Sequence, residues 1–255
     1  MALDNSSLRS SAERMKAILG LSASAVGVRL LSADDAAPQN TEKLHGYRYC
    51  QALMEARHGR SVVLDGDGIS CPAAAAAFGF RPLPENLRNG KGLVGFGIVA
   101  DAAVGRRMFE NMATLTPGQI QRLHLFPLDQ AAEQPDVIVV EDEVEKLMWL
   151  NLAYLHVIGG ERIVSSTAVL QATCVDSTII PYLEGRLNFS FGCYGCRDAT
   201  NLVGGETVVG FPASVLPAMM EHLEYLNQKA IPTSRGKKAL AALQKKEQKA
   251  AGADV

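Results

Sequence analysis

The chain has 255 residues, with Lys+Arg 25 against Asp+Glu 27 and a formal net charge of -2. That balance excludes binding to nucleic acid or to an anionic membrane by bulk electrostatics. Hydrophobic residues at 47% and charged residues at 20% are ordinary globular values, which exclude a disordered or fibrous chain. The five cysteines are too few for a disulfide scaffold, and their number is odd.

Residues 1–20 are polar and mixed in charge, without the apolar core of a secretory signal. No apolar run reaches the ~18 residues of a spanning helix. The expected compartment is the cytoplasm, where thiols stay reduced and grouped cysteines point to metal or redox chemistry.

In chain order, the apolar spacing of Leu8, Ala12, Met15 and Leu19 predicts a helix over 5–19, capped by Ser6 or Ser7 and stopped by Gly20. Residues 25–31 read as a strand, and a polar segment with Pro38 and Asn40 follows. A helix is expected over 42–58, with Tyr47, Cys50, Leu53 and Met54 on its buried face and His58 at its C-terminal end. Residues 61–64 form a strand, and Asp65-Gly66-Asp67-Gly68 a turn. Cys71-Pro72 opens a short Ala-rich helix, 73–77. Next come a strand over 93–99, a helix over 106–115 and a break at Thr116-Pro117-Gly118. The run Val137-Ile138-Val139-Val140 predicts a strand buried on both faces. A helix over 144–158, a strand over 162–166, an irregular stretch around Cys193-Tyr194-Gly195-Cys196, a strand at 208–212 and a helix over 216–226 complete the core. The Lys-rich tail reads as a solvated helix.

The order of elements repeats. Arg60 and Arg162 stand 11 and 12 residues before Cys71 and Cys174, and Val94-Gly95-Phe96 echoes Val209-Gly210-Phe211. The expected fold is therefore α/β. Two similar β-α-β-Cys-β-α halves, with partly parallel strands, pack as one compact unit about a pseudo-two-fold axis. The halves are residues 1–134 and 135–230, and residues 231–255 form a basic tail. Such an axis makes Cys71 and Cys174 equivalent.

Cys193-x-x-Cys196 carries the strongest chemical signal, because two thiols so spaced in a glycine-bearing turn can face one metal or one cluster edge. It is not expected to follow a strand at a helix start, as a redox dithiol would. Cys71 precedes a proline at the first helical position, where the helix end favours thiolate. Cys174 joins it through the repeat. The candidate ligand set is Cys71, Cys174, Cys193 and Cys196, suited to a [4Fe–4S] cluster or to zinc. Cys50 reads as a core residue. Arg197 is the candidate catalytic side chain, able to hold a carboxylate, a phosphate or a negatively charged cluster.

The chain resembles the domain of unknown function 169 family, also called the archaeal conserved region family. The resemblance rests on Val26-Gly27-Val28-Arg29, Tyr49-Cys50-Gln51-Ala52, Ile69-Ser70-Cys71-Pro72, Pro135-Asp136-Val137-Ile138, Gly192-Cys193-Tyr194-Gly195-Cys196-Arg197 and Val209-Gly210-Phe211-Pro212. It spans nearly everything before the tail. It implies no reaction, but its many anaerobic and archaeal members fit an oxygen-sensitive cofactor.

The leading expectation is an iron–sulfur protein in electron transfer, or an oxidoreductase or lyase in anaerobic chemistry on a small molecule. A zinc-holding, partner-binding protein and a thiol enzyme with Cys71 as nucleophile are the alternatives. A small-molecule substrate or an electron-transfer partner is expected, with no nucleic acid and no membrane; a homo-oligomer is compatible.

Overall fold

The computed structural model describes residues 4–39 and 41–251. Asn40, residues 1–3 and the last residues of the tail, 252–255, lie outside them. Helix α1, Asn5–Leu19, buries Leu8, Ala12, Met15 and Leu19. Its cap is Asp4, whose carboxylate accepts the Ser7 N–H at 2.7 Å, rather than Ser6 or Ser7. Strand β1 is Val26–Leu31.

The helix expected over 42–58 is shorter. Glu42–Lys43 form edge strand β2, because the N–H groups of Glu42 and Leu44 donate to the Ser61 and Val63 carbonyls. Helix α2 is Tyr49–Arg57, started by Arg48, whose N–H donates to the Gln51 side chain, and closed at His58. Strand β3, Val62–Asp65, is followed by the expected turn, in which the Asp65 carboxylate accepts the Gly68 N–H at 2.9 Å. Helix α3 is Pro72–Ala77.

Residues 93–99 are not a strand. Their N–H groups bond locally, with Leu93 donating to Gly90 and Phe96 to Gly92, so no ladder forms. Instead α4, Glu85–Arg88, α5, Lys91–Gly95, and α6, Ala102–Glu110, build a small helical cap. Helix α6 starts at an Asp101 cap, upstream of the expected 106–115.

Strand β4, Arg122–Pro127, was not expected, because Arg122 and His124 interrupt its apolar run. Strand β5, Val137–Glu143, buries both faces as expected. Helix α7 is Val144–Val157. Residues 162–166 form no strand. The Asn188 side chain receives the Ser166 N–H and donates to its carbonyl, taking the place of a ladder. A π-helix spans Ala172–Ile179 and runs into α8, Ile180–Glu184. Then come β6, Asn188–Ser190; α9, Tyr194–Ala199; β7, Glu206–Pro212; and α10, Leu216–Gln228. The tail carries α11, Ala230–Arg235, and α12, Lys238–Ala251, which is exposed over residues 238–248.

All seven strands join one sheet of order β2-β3-β4-β1-β5-β7-β6. The expected parallel character is nearly absent: only β2 and β3 run parallel, and the other neighbours are antiparallel. At its centre Gly27 faces Ile138, Val26 faces Val139 and Val28 faces Val137. After β4 the Leu128 N–H donates to the Ala25 carbonyl at 2.8 Å, and after β7 the Ala213 N–H donates to Asp136 at 3.0 Å.

Each sheet face carries its own core. Helices α1, α7 and α10 cover one face, over Leu8, Met15, Trp149 and Phe211. The α2, α3 and π-helical segments cover the other, over Tyr49, Leu53, Phe78 and Val139. Burying one such side chain contributes roughly 1.5–3 kcal/mol. The cysteines lie on this second face. Among the described residues, no helix is long and apolar enough to cross a membrane.

Candidate functional site

All five cysteines line one cavity of about 330 Å³, the size of a cofactor or small-ligand site. They arrive from four places in the chain. Cys50 lies in the first turn of α2, and Cys71 is the residue that caps α3. Cys174 lies near the start of the π-helix. Cys193 caps α9, and Cys196 is in its first turn. None is disulfide-bonded; Cys50, Cys174 and Cys196 are buried, whereas Cys71 and Cys193 are half-buried.

The structure thus brings together the expected set of Cys71, Cys174, Cys193 and Cys196. It also adds Cys50, whose place on a core helix face hid that it opens onto the cavity. Among the described residues, no group of three or more His, Cys, Asp or Glu side chains stands close enough to hold a single metal ion. Cys193 and Cys196 are in contact with each other, and all five thiols line the same cavity.

The Cys193-x-x-Cys196 turn differs from expectation, for it does follow a strand, β6, and does open a helix, α9. The two residues cap each other: the Cys193 N–H donates to Cys196 Sγ at 2.8 Å, and the Cys196 N–H donates to Cys193 Sγ at 3.2 Å. The Cys196 thiol and nearby backbone N–H groups hold Cys193 below the ordinary thiol range, against the cost of its burial. The same hydrogen bond, with burial, pushes Cys196 up. Burial also pushes Cys50 up to about 12, and drives Cys174 well above its ordinary value.

Arg197 does not line the cavity. Its guanidinium donates to the carbonyls of Phe191, Val203 and Glu206, the last two at 2.8 Å, and so ties the Cys193 turn to the start of β7. This geometry makes it a brace rather than a substrate-holding group. The cation in the cavity wall is Arg48, whose Nη1 donates to the Gly195 carbonyl at 3.0 Å. Nothing in the sequence marked Arg48 except its place before α2.

Part of the wall is apolar, built from Leu87, Leu93, Ile98, Phe109 and Leu170 of the helical cap and the segment before the π-helix, and Cys71 packs against it. Behind the cysteines lies a buried charge cluster. Arg57 Nη2 meets Glu206 at 2.6 Å, and Arg57 Nη1 meets Glu141 at 3.7 Å. One guanidinium serves two carboxylates, and burial pushes Glu141 up to about 7. Asp176 on the π-helix, bonded to Thr167 and Ser190, is also pushed up to about 7 by burial. Sequence patterning missed both acids, since each sits in an apolar stretch without a motif.

π-Helical turns are rare and concentrate at functional sites. Here one carries both Cys174 and Asp176.

No curated protein and no solved structure matches the chain. The model of the DUF169 family, described as uncharacterised ArCR, matches residues 14–222. That stretch contains the whole sheet and all five cysteines, and the chain therefore belongs to the DUF169 family.

Proposed function

We propose that the chain binds an iron–sulfur cluster, of the [4Fe–4S] type, in the cysteine-lined cavity. One observation carries this reading: five thiols, from residues 50 to 196, line a single cavity. Thiolates are the ligands that such clusters use. Zinc with four thiolates needs sulfurs about 4 Å apart, whereas cubane ligands stand on the order of 6 Å apart. Zinc remains the alternative. Cys71, Cys174 and Cys193 belong to the ligand set, and Cys196 and Cys50 compete for the fourth place.

When bound, the cluster supplies one-electron transfer or a Lewis-acidic iron. The chain supplies the rest. Arg48 offsets negative charge at the cavity wall, and the residues of the helical cap give that wall an apolar part. These parts fit an oxidoreductase or lyase acting on a small molecule, or electron exchange with a partner, in the cytoplasm.

The proposal includes an internal duplication about the Gly27–Ile138 pair. Strands β1, β3 and β4 then correspond to β5, β6 and β7. Phe126-Pro127 matches Phe211-Pro212, and the Leu128 and Ala213 hydrogen bonds are equivalent. This register replaces the one read from Val94-Gly95-Phe96, which lies in a helix.

A second reading has support in the reciprocal hydrogen bonds of Cys193 and Cys196. They make a dithiol in which Cys193 is the reactive thiolate. Metal and sulfide analysis of protein purified without oxygen tests both: a cluster gives iron with sulfide, and a dithiol gives neither but exchanges with a disulfide probe.

A further inference from the structure

We infer that Cys50, and not Cys196, provides the fourth thiolate, so that the cofactor sits between the pairs Cys50/Cys71 and Cys174/Cys193. This inference rests on the cluster reading and specifies its ligands.

The first support is position. Cys50 is in the first turn of α2, and Cys174 is near the start of the π-helix. Each helical segment leads into an edge-side strand, β3 or β6, that pairs antiparallel with β4 or β7. After those strands, Cys71 and Cys193 each cap a short helix. The same two thiol positions therefore occur once in each half of the sheet. Cys196 has no counterpart, since residue 74, three after Cys71, is Ala74.

The second support is contact between the segments. Arg48, next to the start of α2, donates to the Gly195 carbonyl in α9 at 3.0 Å, and Tyr49 meets Thr178 of the π-helix at 2.8 Å, so the segment of Cys50 touches those of Cys193 and Cys174.

The third is hydrogen bonding. Cys196 is 2% exposed, and its sulfur both receives the Cys193 N–H and donates to the Cys193 carbonyl at 3.2 Å. That sulfur is committed to shaping the turn. Cys50 has no such internal partner among the hydrogen bonds of the described residues.

On assembly each of the four thiols loses its proton to water and gives a sulfur lone pair to one iron. Equal amounts of ferrous and ferric iron, with as much sulfide as iron, make the cubane with these thiolates and need no further oxidant or reductant.

The test is anaerobic reconstitution of full-length wild type, Cys50→Ala and Cys196→Ala with that iron and sulfide mixture. After desalting, iron, acid-labile sulfide and visible absorbance are read per chain. Cys50→Ala should keep less than about a quarter of the wild-type iron, and Cys196→Ala should keep most of it. Far-ultraviolet dichroism checks folding, and Cys50→Ser replaces Cys50→Ala should the latter fail to fold. Wild-type iron in the Cys50 variant, or loss of iron in Cys196→Ala, overturns the assignment. Wild type that takes up neither iron nor sulfide overturns the cluster reading itself.

Discussion

The Tyr49 and Thr178 hydroxyls lie 2.8 Å apart, buried between α2 and the π-helix. Thr178 spends its hydrogen on the Thr173 carbonyl, also at 2.8 Å, so Tyr49 is the donor. This bond joins the helical segment of Cys50 to that of Cys174. Tyr49→Phe should cost about 1 kcal/mol, read as a lower urea midpoint. It should also increase alkylation of Cys174 in cofactor-free protein. An unchanged midpoint and unchanged labelling would remove the bond from the account.

Gly210 on β7 holds the π-helix close. A Cβ at this position would stand 1.8 Å from the Ser177 carbonyl oxygen. Backbone on both sides leaves no flexible side chain to yield. Gly210→Ala should destabilise the fold by about 3 kcal/mol. Denaturant unfolding measures it, and a cost below about 1 kcal/mol would contradict so close an approach.

Arg197 should matter for the turn rather than for chemistry. Lysine keeps the charge but lacks the planar fork that reaches three carbonyls. Arg197→Lys should lose about 2 kcal/mol of stability and, on the proposed cluster reading, hold less iron. Unchanged stability with full iron content would contradict the bracing role.

Stability should fall as pH rises toward neutrality. Glu141 has an ordinary value of 4.5 and titrates at about 7 when folded. The unfolded chain therefore releases this proton first. The stabilisation from neutral Glu141 is complete below about 4.5 and is lost as pH climbs through about 7, amounting to about 3 kcal/mol. Asp176 adds an effect of the same sign. Urea unfolding at pH 5 and pH 7.5 should show the loss in wild type and a smaller one in Glu141→Gln. An equal loss in both proteins would contradict the assignment.

The cysteines were more legible than the fold. The CxxC spacing and the Cys71-Pro72 step singled out three of the five that line the cavity, and the Cys71–Cys174 correspondence added Cys174. Cys50 was hidden because a residue on a core-facing helix turn looks the same whether it meets packed side chains or a cavity. The helix of Glu42 failed through ladder bonds to Ser61 and Val63, which no local pattern announces. Strand β4 failed because His124, though only 5% exposed, is polar and finds a partner in Ser61. Residues 93–99 failed the other way, since Leu-Val-Gly-Phe-Gly alternates like a strand but closes its own hydrogen bonds. The Arg60 and Arg162 spacing suggested matching Cys71 with Cys174, whereas the duplication proposed from the sheet register matches Cys71 with Cys193.

The most direct measurement is the iron, zinc and acid-labile sulfide content of the full chain purified and reconstituted without oxygen. The account predicts iron and sulfide in equal amounts, about four of each per chain, with a brown colour and absorbance near ~400 nm. Zinc alone, or thiols that hold no metal, would contradict it.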